Sequence, residues 1–162
     1  MKQVSHVWSG GFTFLEIIIV ISIGIILTIS SYVIYNSANR QQALQKDAAR
    51  VASVFEEARS LSVANNNGSS YGVHIDQTKV TRFVGTVYTS GSVSNVEERL
   101  SSYVRISTTS PNGLNTGKSD VVFTTLTGTT TVSGTIKLYL ISSSTIAKKI
   151  RIYGTGLTEI TQ

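Results

Sequence analysis

The sequence predicts an α+β chain: one long N-terminal helix, apolar all round in its first half and amphipathic in its second, packed on an antiparallel β-sheet. Three observations carry this. An almost unbroken apolar run extends from Phe12 to Tyr35. After it, apolar residues recur at Leu44, Ala48, Val51, Phe55, Ala58 and Leu61, spacings of three and four that trace one face of an α-helix. Beyond Gly68, short alternating segments are separated by Gly, Asn, Ser and Thr, the pattern of strands and turns.

The first run would be roughly 36 Å long as a helix, at about 1.5 Å per residue. That is enough to cross a hydrocarbon core of about 30 Å with some tilt. Its uncharged polar residues, Ser22, Thr28, Ser30 and Ser31, can bond back to carbonyls one turn earlier. Glu16 is its only charge. A carboxylate at the edge of a membrane helix marks a functional position, because leaving it unpaired in hydrocarbon costs a few kcal/mol or more. A secretory signal would have a shorter apolar core and a small-residue cleavage site after it. A plain anchor would account for the length but not for Glu16 or the Gly10-Gly11-Phe12 junction.

The second half of the helix is expected to continue to about residue 64, with no Gly or Pro between Ile25 and Asn67. Its other face carries Arg40, Gln41, Lys46, Asp47, Arg50, Glu57 and Ser60, and Asn65-Asn66-Asn67-Gly68 supplies the stop. Seven strands follow. Tyr71–Ile75 and Lys79–Val84 form a hairpin around Asp76-Gln77-Thr78. Then come Ser102–Ser107, Asp120–Leu126, Gly134–Ser142, Ile146–Tyr153 and Leu157–Ile160. Alternation is clearest where Ile136, Leu138 and Leu140 oppose Lys137 and Tyr139, and where Ile150 and Ile152 oppose Lys149, Arg151 and Tyr153. The connections Gly85–Leu100 and Thr108–Ser119, the latter with Pro111, are long enough to be functional or mobile loops.

Composition narrows the chemistry. There is no cysteine, so neither a disulfide framework nor a thiolate metal site is open to the chain. Charged residues make up only 14% of it. Setting aside Lys2 and Glu16 leaves 13 bases and 8 acids from Arg40 onward, still +5. That excess reads as a solvated surface. His74 is the only histidine beyond residue 11, and with no second His it suggests neither a metal cluster nor a Cys/His dyad. It is expected as a half-buried strand histidine bonded to backbone. Asp76 and Asp120 read as lone turn acids, and the pairs Glu56-Glu57 and Glu97-Glu98 as solvated faces. No enzyme activity, cofactor, metal or small-molecule substrate is expected.

At Gly11-Phe12-Thr13-Phe14-Leu15-Glu16, leading directly into the apolar run, the sequence resembles the type IV prepilin family. The resemblance implies a pilin-like fold and the following organisation. A leader, residues 1–11, is removed by prepilin peptidase, which cuts between Gly11 and Phe12, and Phe12 is N-methylated. Residues 12–35 form the transmembrane and polymerisation helix, 36–64 its amphipathic continuation, and 65–162 a β-rich globular domain. The protein would sit single-pass in the inner membrane, globular domain outside the cytoplasm, and then join other pilins or pseudopilins in a helical filament. There Glu16 would meet the Phe12 ammonium of a neighbour. Cleavage would also remove His6 and Trp8 from the mature protein.

More loosely, Ala58-Arg59-Ser60, Val122-Phe123 with Gly128, and Gly154-Thr155-Gly156 resemble the GspH/FimT group of minor pilins and pseudopilins. That implies a subunit of a type IV pilus or a type II secretion pseudopilus. A major pilin is an alternative. A DNA receptor for uptake is another, since some FimT-like minor pilins are thought to capture DNA through an arginine-bearing segment near the C-terminus. Here Lys148, Lys149 and Arg151, with Tyr153 and Lys137 nearby, would be the contacts, although the tail Gly154–Gln162 carries Glu159 and no arginine.

Overall fold

A computed structural model describes residues 11–107, 114 and 119–161, without the side chains of 30–34. Residues 1–10 of the expected leader and most of the expected loop Thr108–Ser119, Pro111 included, lie outside the described residues. Helix α1 spans Phe14–Val63. The chain divides into two units between Ala38 and Asn39.

In the first unit the described side chains from Phe12 to Ile29 are all exposed. Ser22 Oγ donates to the Ile18 carbonyl at 2.7 Å, and Thr28 Oγ1 to the Gly24 carbonyl at 2.8 Å, so both hydroxyls are satisfied within the helix as expected. Among the described residues no helix is long and apolar enough to cross a membrane. The expected span Phe12–Tyr35 includes residues 30–34, whose side chains lie outside the described residues.

In the second unit the helix buries Leu44, Ala48, Val51, Val54, Phe55 and Ala58 in a single apolar cluster with both sheets. Asn65, at φ 50°, takes the left-handed conformation that ends α1, and a 3-10 turn spans Asn66–Gly68. Ser62 ties the helix end to the sheet. Its hydroxyl donates to the Ala58 carbonyl and accepts the Tyr71 N–H, while its carbonyl accepts the N–H of Asn65 and Leu126.

Among the described residues eight strands follow: β1 Tyr71–Ile75, β2 Lys79–Val84, β3 Val96–Arg99, β4 Val104–Ile106, β5 Asp120–Phe123, β6 Gly134–Leu140, β7 Ser143–Ile152 and β8 Thr158–Thr161. They form two four-stranded antiparallel sheets, β3-β2-β1-β5 and β4-β6-β7-β8. The helix on antiparallel structure is as the sequence predicts; the division into two sheets is not. Alternation fixes which face of a strand is buried but says nothing about which strand lies beside it.

β3 falls inside the expected loop Gly85–Leu100. Its sequence, Val-Glu-Glu-Arg, has no apolar alternation; it pairs with β2 through its backbone, and its side chains form ion pairs. Glu97 pairs with Lys79 at 2.5 Å and with Arg99 at 3.5 Å, while Glu98 pairs with Arg50 of the helix at 3.7 Å. Glu57 likewise meets Arg82 at 3.2 Å. These acids are therefore not simply a solvated face. The connection before β3 lies against the sheet: Tyr88 stacks on His74 and packs edge-on to Phe83. Gly72 makes room for this, since a Cβ there would sit 2.4 Å from the Phe83 ring.

Candidate functional site

The motif Gly11–Glu16 becomes the start of the helix. Thr13 Oγ1 accepts the backbone N–H of Glu16 at 3.2 Å, and its carbonyl accepts the N–H of Ile17. This is the N-cap arrangement, in which a hydroxyl satisfies one of the orphan donors of the first turn, with an acid in that turn. The Glu16 carboxylate takes no hydrogen bond from the described residues. It borders a notch of about 220 Å³ lined otherwise by Phe12, Ile17, Val20 and Ile21. One free acid thus sits in an apolar collar, four residues from Phe12, which is itself 80% exposed. Burying the collar without giving the acid a cation would cost far more than it returns.

The basic residues near the C-terminus divide between two faces. Lys149 lies directly across from Lys137 on β6, and Arg151 across from Thr135, on the exposed face of the second sheet. Lys148 lies across from buried Leu138 and is half-buried, so it does not join them. The Arg151 guanidinium rests over the Tyr153 ring at 5.2 Å, and the Tyr153 hydroxyl donates to Glu159 at 2.7 Å. That bond, reinforced by desolvation and the nearby negative charge, holds the Tyr153 pKa above its ordinary value. Glu159 also stands across from Arg151 on β8. The stacking ring expected for a base is therefore occupied by Arg151, and the patch carries its own acid.

Three polar relationships were not legible in the sequence. His74 bonds through Nδ1 to the Asp120 side chain, its register partner on β5, rather than to backbone. Asp120 is therefore not a lone turn acid. Asp76 does behave as one, its carboxylate accepting the Gln77 N–H at 3.0 Å. Asp47, expected on the solvated side of the helix, is buried and accepts the Ser101 N–H at 2.8 Å. Arg40 lies over the Tyr103 ring at 5.5 Å. Each joins residues far apart in sequence, and no local spacing signals such a pair.

No family model matches the chain, and no curated protein does. Among solved structures it is similar to the type IV minor pilin FimU of Pseudomonas aeruginosa in two crystal forms. Each match has 14% identity and a TM-score of 0.54 and covers 74% of this chain. The matches span 93% and 88% of the FimU chains. At that identity the likeness shows the fold: the chain has a type IV pilin-like fold.

Proposed function

We propose that the protein is a minor-pilin or pseudopilin-type structural subunit that assembles into a filament through its N-terminal helix. Prepilin peptidase cuts between Gly11 and Phe12, Phe12 is methylated, and residues 12–35 hold the subunit in the inner membrane until extraction. The observation that carries this is a free Glu16 carboxylate in an exposed apolar collar at the head of a helix, on a pilin-like fold. Cleavage places a new ammonium at Phe12, in surroundings as apolar as those of Glu16. Two opposite charges in such a place are tolerable only when paired. The pair then sets register, because a subunit docked one step out leaves both charges unmatched.

The test is mass spectrometry of the N-terminus of the protein from its own cells, with and without the peptidase. A mature chain beginning at methylated Phe12, dependent on the peptidase, is expected. A chain still beginning at Met1 in both backgrounds would overturn the reading.

A second reading, DNA capture, has one observation in its favour. Lys137 and Lys149 face one another across β6 and β7, and neither has an ion-pair partner among the described residues. Like charges directly opposite destabilise a sheet, so their presence calls for a polyanion or for solvent alone. Retention of double-stranded DNA that falls steeply with salt would support it.

A further inference from the structure

We infer that Arg40, Tyr103 and Ile141 form a seat for the phosphate headgroup of an anionic phospholipid; this rests on the membrane-anchored reading above. The three line one pocket of about 210 Å³ with Ser102 and Ser142. Arg40 lies over the Tyr103 ring, and among the described residues no carboxylate pairs with it. Ile141 donates its backbone N–H to the Tyr103 carbonyl at 3.0 Å, which ties the two walls together. The side chains of both remain about half exposed, at 54% and 49%.

The composition fits a water–lipid boundary. A guanidinium with free donors matches a phosphate, two flanking hydroxyls can add donors, and an exposed Ile and a Tyr suit the adjoining ester and acyl region. The chain also allows the pocket to meet that boundary. Arg40 is five residues past Tyr35, where the apolar run ends. Five residues span at most about 18 Å even when fully extended, and the headgroup layer occupies roughly 5–8 Å on each side of the hydrocarbon. An acidic protein partner would satisfy Arg40 equally well but would leave Ile141 unexplained.

The full-length protein is placed in nanodiscs of phosphatidylcholine, with or without one third phosphatidylglycerol, and amide exchange is followed by mass spectrometry. Exchange across 101–106 and 139–145 is expected to slow about fivefold in the anionic discs, the weight of one basic side chain at an anionic surface. Arg40→Gln should abolish the difference and Arg99→Gln should leave it, with exchange across 71–75 unchanged as the control for folding. Equal exchange in both discs overturns the proposal, as does protection that survives Arg40→Gln. So does the same protection in phosphatidylcholine discs given inorganic phosphate, which would make the ligand a free anion. A chain that enters neither disc overturns the membrane reading along with it, whereas insertion without the lipid difference overturns this inference alone.

Discussion

Asp47 and Ser101, 54 residues apart, are joined by a single hydrogen bond from the Ser101 backbone N–H to the Asp47 carboxylate at 2.8 Å, with Asp47 only 3% exposed. It fastens the second unit's helix to the chain just before β4. A hydrogen bond to a charged group is worth more than a neutral one, and deleting the acceptor orphans a donor. Asp47→Ala is therefore expected to cost about 2 kcal/mol, read as a lowered midpoint in urea denaturation. Asp47→Asn keeps an acceptor oxygen and should lose less. Equal stability of Asp47→Ala and the parent would remove the structural role assigned to the pair.

Gly156 makes a sharper test because no substitution can fit. Its φ is +81°, and a Cβ would fall 1.9 Å from the Gly128 carbonyl oxygen and 3.0 Å from Arg59 Cδ. Backbone must move, on top of the strain of a left-handed residue that is not glycine. Gly156→Ala should cost about 2 kcal/mol or more, whereas Gly91→Ala, also at positive φ but with open space around it, should cost only the conformational part. Similar losses at both would mean that the close approach is not the cause.

How far the sequence can be read depends on the range of the interaction. The stripe from Leu44 to Ala58 and the alternation of Ile136, Leu138 and Leu140 were legible because burial imposes its period on adjacent residues. The Thr13–Glu16 cap also joins residues only three apart, although it was not among the expectations. β3 was not legible, because Val-Glu-Glu-Arg lies at a sheet edge and follows no burial pattern. The pairing of His74 with Asp120 depends on β1 lying beside β5, a neighbour relation that no local spacing encodes. Of the candidate site residues, Phe12 and Glu16 line one notch at the helix start. In the basic segment, Lys149 lies across from Lys137, as the alternation of the strand suggests, and Lys148 falls on the other face.

The Lys79–Glu97 pair predicts a pH response at the β2–β3 edge. The hydrogen bond to Lys79 holds the Glu97 pKa below its ordinary value, and the same bond raises that of Lys79. The Glu97 contribution is therefore complete above its unfolded pKa of about 4.3 and is lost as pH falls through the lower folded value. The Lys79 contribution is complete below about 10.4 and is lost as pH rises through the higher folded value. β3 should hold its amide protection across the interval between and loosen at both extremes. In an NMR titration, Lys79→Gln should move the Glu97 carboxyl upward; an unmoved carboxyl would show that the bond does not form in solution.

The opposed lysines of the second sheet predict opposite changes in stability and binding. Replacing one by an acid converts a repulsive cross-strand pair into an attractive one, so Lys149→Glu should stabilise the protein by about 0.2–1 kcal/mol. If the face also holds DNA, the same variant should lose retention in a low-salt filter assay, with a shallower salt slope. Stabilisation with DNA retention unaltered would leave the face as solvated surface and remove the second reading.

Glu16 separates charge from shape at the head of the helix. Its backbone N–H is held by Thr13 and its carboxylate by nothing among the described residues. Glu16→Gln therefore keeps the cap, the length and the packing, and discards only the charge. Within one subunit that change should be silent, with an unaltered denaturation midpoint for the folded protein. In a filament it would leave the neighbour's Phe12 ammonium unpaired in an apolar contact, and breaking such a pair costs about 3–5 kcal/mol. Incorporation should fall at least about tenfold even if half of that cost is relieved by water or by a shift of the helix. Glu16→Ala should fail to a similar degree, because the loss lies in charge and not in size. The measurement is the ratio of subunit in the sheared filament fraction to subunit in the membrane, by quantitative immunoblot. Normal incorporation of Glu16→Gln would show that the acid is not the register device, whatever else the helix does.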